Sequence, residues 1–598
     1  MSIAADLQSR VQRAIPRRDP TRRLRSLVRG SEIWLVVLAV GVGIGAGLSV
    51  ALIGTLSDHA HQMLFGLGKG DRLSGMGALP RGYWVPAVGG LLLGGLRWLR
   101  ARRRAGPTVD PIEANALHGG RMSLRDSLWV TFQTLLSNGC GASVGLEAGY
   151  AQTGSGLASR LGLMLRLRRN DLRVLVGCGA GAAIGAAFGA PLTGAFYAFE
   201  LIVGSYSVGN VAPIMAASLS GVLTARAVRA VTYQITLTPA ALPMLSDYPV
   251  MIVLGLACAG LGVAIMQAVY WTEKAFDATR LPRLLRPAVA GVGLGLLALI
   301  TPQVLSAGHG GLRLDAPLAL PAAALISLIA LKFIASTLSL GAGFRGGLFF
   351  ASLFLGALCG KLFAVVVGPL APGLAIDPTI CMLVGMATLA VAVVGGPLTM
   401  SFLVLETTGD FTVTTVVIAA SLVASLAVRE TFGYSFSTWR LHLRGETIRG
   451  ATDVGWVRAL TVGRMMRREP PSIEGHVKLA EFRRRHPLGS ATSVVVVGAD
   501  GGYLGMALTA DAFASAEHPD ADAGKTAADI ARWPDDPLSP EMNIKQAMAV
   551  FDRTESETLA VIDDPEHRQV IGLLTEGFAL RRYAEELDKV RQGLMGEA

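Results

Sequence analysis

Pro191-Leu192-Thr193-Gly194-Ala195-Phe196-Tyr197-Ala198-Phe199-Glu200 returns later in the chain as Pro397-Leu398-Thr399-Met400-Ser401-Phe402-Leu403-Val404-Leu405-Glu406, identical at five of ten positions. A second pair precedes it in the same order. Gly145-Leu146-Glu147 with Gly154 matches Gly347-Leu348-Phe349 with Gly356 at the same internal spacing. Two matched pairs in one order argue for duplicated halves, and such halves in transporters tend to enclose a midplane site built from interrupted helices.

The surroundings of both repeats are apolar. The chain has 598 residues, 51% of them hydrophobic and 16% charged, with a mean hydropathy of +0.48, which belongs in a bilayer rather than in water. Apolar blocks of roughly 17 to 25 residues, the length that crosses a hydrocarbon core of about 30 Å as a helix, recur from Ile33 to about Val428 and predict more than ten helices. Many of the 72 glycines fall inside these blocks, where small residues let helices approach closely.

The formal charge of +10 does not point to nucleic acid, because the excess gathers at membrane edges. Arg10, Arg13, Arg17, Arg18, Arg22, Arg23, Arg25 and Arg29 precede the first apolar block, which puts the N-terminus in the cytoplasm by the positive-inside rule. That block is too long for the core of a cleavable signal. The five cysteines lie in or beside apolar segments without metal or disulfide spacing and read as packing residues.

Composition divides the chain into a basic tail (1–30), a membrane region (31–440), a linker (441–460), a soluble α/β region (461–585) and a short tail (586–598). The soluble region repeats one design. Ser493-Val494-Val495-Val496-Val497 and Tyr503-Leu504-Gly505 form a strand pair, and Leu559-Ala560-Val561-Ile562 with Val570-Ile571-Gly572-Leu573-Leu574 form another.

Glu147 is the most informative single residue. It follows Gly141-Ala142-Ser143-Val144-Gly145 where a helix would begin inside the bilayer, and an ionised carboxylate there costs about 2.5–3.5 kcal/mol on insertion scales. A helix N-terminus offsets that cost, since its unpaired N–H groups and positive dipole end favour an anion, whether a side-chain carboxylate or a free ion. A carboxylate and an anion that share one place compete for it, so protonation becomes a gate. The alternative is a glutamate paired structurally within the bundle. Gly141-Ala142-Ser143-Val144-Gly145 also has G-x-S-x-G form but lacks the strand-turn-helix context and base of a nucleophile elbow. His59 and His61 beside Asp58 read as solvated loop histidines, and no metal-ligand spacing occurs.

Gly145-Leu146-Glu147-Ala148-Gly149 resembles the G-(K/R)-E-G-P motif of the CLC family of chloride channels and transporters, with its gating glutamate, and Gly346-Gly347-Leu348-Phe349-Phe350 resembles the family's G-x-F-x-P motif. The two Pro-Leu-Thr segments, Leu405-Glu406-Thr407-Thr408-Gly409-Asp410, and Arg286-Pro287 through Pro302-Gln303-Val304-Leu305 also look like the family, over nearly the whole membrane region. The resemblance implies an all-α polytopic membrane protein, an antiparallel inverted repeat of intramembrane helices, followed by a soluble α/β pair of CBS-like modules. It also implies a homodimer with one pore per subunit, multi-pass in a bacterial inner membrane with both termini cytoplasmic. Chloride or a similar small anion, with protons as a second transported species, would be the partners; no enzyme activity and no cofactor are implied.

On this resemblance Glu147 takes the gating role, and Gly145, Leu146, Gly347, Leu348, Phe349 and Phe350 line or shape the pore. The departures are equally specific. The family's G-S-G-I-P segment corresponds to Gly106-Pro107-Thr108-Val109-Asp110-Pro111, with Pro107 or Gly106 at the anion-binding serine and Thr108 as the nearest replacement hydroxyl. Proline there resembles the nitrate-preferring variant of the family. Ser437 replaces the pore tyrosine of S-I-Y-T-x-K-L, with Tyr434 three residues earlier as the candidate substitute. The internal proton glutamate should follow Glu200, and that position is Leu201. Arg345, directly before Gly346-Gly347, either attracts anions or pairs with an acid. In the CBS-like modules the hydroxyl and acid of the ribose-phosphate signature are split, Asp511 in one half and Thr575 in the other, which favours a structural or dimerising role over adenine-nucleotide binding. Passive anion conduction is the expectation, and proton-coupled chloride or nitrate exchange the alternative.

Overall fold

The computed structural model describes residues 32–68, 70–76, 81–102, 106, 108–228, 242–316, 318–370, 377–443, 460–514 and 524–595. They fall in two compact units, Met1–Asp453 and Val454–Ala598. The basic tail and most of the expected linker lie outside the described residues.

The first unit is helical. Its first part runs through α1 (Glu32–Phe65), α2 (Val85–Arg102), α3 (Pro111–Leu117), α4 (Leu124–Gly139), α5 (Glu147–Met164) and α6 (Arg169–Phe188). Next come α7 (Pro191–Tyr197), continued as a π-helix over Ala198–Val203, then α8 (Val208–Ala227), α9 (Asp247–Ala278), α10 (Arg286–Ile300) and α11 (His309–Asp315). The remainder is α12 (Ala322–Gly341), α13 (Phe349–Leu370), α14 (Pro378–Val394), α15 (Pro397–Thr408), α16 (Phe411–Thr431) and α17 (Phe436–His442). Among the described residues seven helical spans are long and apolar enough to cross a membrane. Other apolar stretches are cut short by their own residues. Gly189 takes a left-handed conformation at φ +67° after α6, and Pro191 opens α7 two residues later with its fixed φ and missing N–H. Gly395, Gly396 and Pro397 do the same between α14 and α15.

The two repeats interlock about a single point. Gly145 donates its N–H to the Gly347 carbonyl at 2.9 Å and Gly347 donates to the Gly145 carbonyl at 3.2 Å, so the N-termini of α5 and α13 meet there. Around this bridge the contacts come in exchanged pairs. Ser143 donates its N–H to Ser339 Oγ, and Arg345 donates its N–H to Ser137 Oγ, both at 3.0 Å. A methyl group on Gly154 would lie 2.2 Å from the Gly179 carbonyl oxygen, and one on Gly356 equally close to that of Gly385. These glycines let α5 press on α6, and α13 on α14, backbone to backbone.

The Pro-Leu-Thr segments are exchanged as well. The Glu406 carboxylate accepts from the N–H groups of Leu192 and Thr193 at 2.8 Å and from the Thr193 hydroxyl at 2.7 Å. The Glu200 carboxylate accepts from the N–H groups of Leu398 (3.1 Å) and Thr399 (2.8 Å) and from the Thr399 hydroxyl (2.6 Å). Each repeated glutamate therefore finishes the helix start of the opposite repeat. With no water in the bilayer to satisfy those donors, such a partner is obligatory. Phe196 and Phe402, also equivalent, stack at 4.2 Å between centroids.

His59 and His61 are not loop residues: both lie in the last turns of α1, which runs on to Phe65. His61 is buried with Nε2 2.8 Å from the Asn138 carbonyl oxygen, and His59 Nδ1 sits 2.8 Å from that of Thr55. All five cysteines are free, four of them buried.

The second unit carries a three-stranded sheet in the order β1 (Ser472–Glu474), β2 (Ser493–Val497), β3 (Tyr503–Leu508), and a two-stranded sheet of β4 (Thr558–Ile562) and β5 (Val570–Thr575). Antiparallel β2–β3 is followed directly by α20 (Thr509–Ala514), and antiparallel β4–β5 by α22 (Glu576–Met595). Each pair has a bulge at the same place, between Val496 and Val497 and between Val561 and Ile562. Helix α22 continues through most of the expected terminal tail. Short helices α18 (Val462–Met465) and α19 (Leu479–Arg485) and the amphipathic α21 (Ile544–Thr554) close the two cores, α19 over Val494 and Val496 and α21 over Leu559 and Val561.

Candidate functional site

Beside the Gly145–Gly347 bridge lies a cavity of about 160 Å³. Its wall includes Thr108, Thr134, Glu147, Gln152, Tyr197, Arg345, Gly347, Leu348, Phe349, Ser437 and Arg440. Glu147 is the first residue of α5 and is 3% exposed. Leu146 at the N-cap offers no side-chain hydrogen bond to the first turn of α5. Among the described residues neither carboxylate oxygen has a hydrogen-bond partner. The carboxylate lies across the two bridging glycines. A methyl group on Gly145 would stand 1.8 Å from Glu147 Oε2, and one on Gly347 3.7 Å from it. His309 approaches the same carboxylate, with Nε2 3.9 Å from Oε1.

Phe349, the counterpart of Glu147 in the second repeat, packs its ring 5.0 Å from that of Phe188 and 6.2 Å from that of Tyr197. Arg345 donates from Nη2 to Thr108 Oγ1 at 3.3 Å, tying the 106–111 segment to the start of α13. Gln152 on α5 adds a second tie, donating to the Val109 carbonyl at 2.8 Å. Asp110 caps α3 by accepting from the Glu113 N–H at 2.8 Å. The cavity therefore combines two helix N-termini, two guanidinium-bearing residues and four hydroxyl-bearing residues, a lining that suits a dehydrated anion.

Several residues named from the sequence lie elsewhere. Gly106 is exposed, with its carbonyl accepting from Arg100 Nη2 at 3.3 Å, and it does not line the cavity; Pro107 lies outside the described residues. Gly145 lies directly against the carboxylate and Leu146 is the buried N-cap of α5, and neither lines the space. Phe350 turns away, its ring 3.6 Å from that of His309 and stacked on Phe188. Tyr434 does not substitute for the missing phenol: its hydroxyl is 3.1 Å from His442 Nδ1 and its ring is stacked against His442 and packed beside Trp439. The phenol in the cavity wall is Tyr197, brought in where α7 passes into its π-helical turn.

Leu201 lines a second cavity of about 180 Å³ together with Glu200, Ser435 and Tyr434. Ile112 and Val394 belong to the walls of both cavities, so an apolar partition separates them. In the second unit Asp511 is held by Arg532 Nη2 at 2.7 Å, and Thr575 is exposed at the end of β5.

Interlocked repeats around a cation-flanked cavity define a polytopic membrane transport protein. Residues 81–429 match the voltage gated chloride channel family. A ClcB-like chloride channel protein of Ralstonia nicotianae is 31% identical over 396 residues, covering 63% of this chain and 90% of its own. A slow cyanobacterial Cl⁻/H⁺ antiporter shares the fold with a TM-score of 0.60 at 22% identity, over 69% of this chain and 97% of its own. A eukaryotic CLC transporter does so with a TM-score of 0.56 at 18% identity, over 92% and 98%. The chain belongs to the CLC family, and its function is anion transport across a membrane rather than an enzymatic reaction.

Proposed function

We propose that chloride or a similar small anion crosses through the cavity beside Glu147, with that carboxylate as the gate and passage passive rather than coupled to protons. The observation that carries the gate is the buried Glu147 side chain lying over two joined helix N-termini without a hydrogen-bond partner among the described residues. There the carboxylate takes the place an anion would take, and protonation releases it. Passive passage is favoured by the partition between the cavities. Leu201 carries no proton, and both oxygens of Glu200 already accept from Leu398 and Thr399.

The test is anion flux from proteoliposomes with simultaneous pH recording. Flux down a chloride gradient with no uphill proton movement is the expected result; proton movement against its gradient, lost in Glu147→Gln, would establish antiport instead. That second reading draws on Tyr197 in the cavity wall and on the solved fold relatives described as antiporters.

Chloride against nitrate preference rests on Thr108, which lines the cavity, and on the proline before it in the sequence. The second unit is proposed as a CBS-like pair in a structural or dimerising role, because Asp511 is engaged by Arg532 rather than open to a ribose. A homodimer in a bacterial inner membrane, with both termini cytoplasmic, completes the reading.

A further inference from the structure

Glu147 has a neighbour on the side away from the cavity. His309, which follows Gly308 at φ +105°, reaches Glu147 Oε1 with Nε2 at 3.9 Å, yet does not line the cavity. Its ring lies against Phe350 at 3.6 Å between centroids, which fixes the imidazole plane, and its side chain is 10% exposed. Among the described residues, charged and titratable groups near the imidazole include Glu147 on α5, Arg72 before the Leu73–Gly75 turn, His61 on α1, Lys332 on α12 and Arg313 on its own helix. Lys332 is committed to the carbonyl oxygens of Val304 (3.1 Å) and Ser306 (2.7 Å), which braces the loop ahead of His309.

We propose that His309 is the positioning and proton-transfer partner of Glu147, delivering the gating proton from the side of the carboxylate away from the cavity. In that step the imidazolium N–H at Nε2 gives its proton to Glu147 Oε1. A neutral imidazole and a neutral carboxylic acid remain, and a hydronium ion of the acidified aqueous phase restores the ring proton, leaving water. The distance of 3.9 Å closes to hydrogen-bond length by a small side-chain rotation. Two such closely placed groups titrate as a pair, so anion flux responds to pH through both.

This inference rests on the reading of Glu147 as the gate, and the test separates the two. Flux from proteoliposomes is followed after a pH jump on the external face for the full-length wild type, Glu147→Gln, His309→Gln, His309→Asn and the double variant Glu147→Gln/His309→Gln. The expected result is that both His309 variants slow the approach to the new flux by about a hundredfold or more, the scale on which a positioned proton donor contributes. Steady flux at acid pH should stay near wild type, and the double variant should match Glu147→Gln alone. Wild-type response times in both His309 variants, or further slowing of flux by His309→Gln in the Glu147→Gln background, would overturn the role of His309. A pH response retained in Glu147→Gln would instead overturn the gate itself. Should His309→Gln fail to assemble, His309→Asn keeps a side-chain amide at the Nδ1 position and carries the test.

Discussion

Glu147 and Phe349 are equivalent residues of the two repeats, each the first residue of its helix and each two positions after a glycine of the Gly145–Gly347 bridge. The symmetry of the backbone is thus broken by chemistry: one helix start presents a carboxylate and the other a phenyl ring. Only the first can exchange places with an anion. Glu147→Gln, a neutral mimic of the protonated acid, should leave transport active and remove its pH dependence, with flux at alkaline pH rising to the acid-pH level. Flux recorded across a pH series in proteoliposomes checks this, and an unchanged series would take Glu147 out of the gate.

Gly145→Ala offers a route to the same place without touching the acid. The new methyl would stand 1.8 Å from Glu147 Oε2, so the carboxylate must leave, while the obstructing atom is only the end of a flexible side chain. Nor does Gly145 adopt a positive φ that would strain alanine. The expected outcome is a folded protein, monodisperse in detergent, whose pH dependence is weakened in the direction of Glu147→Gln.

Exchanged caps predict matched losses of stability. Glu406→Ala strips partners from the N–H groups of Leu192 and Thr193, and Glu200→Ala from those of Leu398 and Thr399. Each should cost about 1–2 kcal/mol, the scale of a lost helix cap. Thermal unfolding in detergent should show both transitions lowered by similar amounts. Glutamine at either position should recover part of the loss.

In the second unit Asp564 accepts from the N–H groups of Glu566 (2.8 Å) and His567 (2.6 Å) and lies 2.9 Å from His567 Nδ1. These donors hold the Asp564 carboxyl below its ordinary 3.8, and the carboxylate raises the His567 imidazole above 6.5. The Asp564 contribution is present above its unfolded value and fades as pH falls through its lowered one. The His567 contribution is complete below 6.5 and fades as pH rises through its raised one. Between those limits the turn is held at both ends. An NMR titration of His567 should therefore give a midpoint above 6.5 that falls toward it in Asp564→Asn.

The helix start at Glu147 was legible because its cause is local: glycines, then an acid, then an apolar run. The repeat was legible for the same reason, as a string of matching letters. What those letters do was not. Glu200 and Glu406 meet their partners across 198 and 214 positions of chain, and nothing beside them in sequence names Leu398 or Leu192. Tyr197 stands inside the quoted repeat, whereas the sequence motif places the pore phenol near Ser437. The turn from α-helix to π-helix that carries Tyr197 to the cavity depends on how α7 packs, not on its composition. His61 read as solvated because Asp58 and His59 flank it; the Asn138 carbonyl that receives it comes from α4. His309 had no motif around it, and its interest arises from arriving beside Glu147.

The exchanged caps also set an order of events at the ribosome. When Pro191 to Glu200 enters the bilayer, the acid that must cover Leu192 and Thr193, 214 positions beyond Leu192, has not yet been made. Throughout that interval the nascent first half holds bare amide donors where lipid supplies no acceptor. Insertion machinery, a chaperone or a neighbouring chain must shelter them until Glu406 arrives. A chain truncated before Glu406 is therefore left with a membrane-embedded helix start that it cannot close by itself, a defect that quality-control proteases are equipped to find.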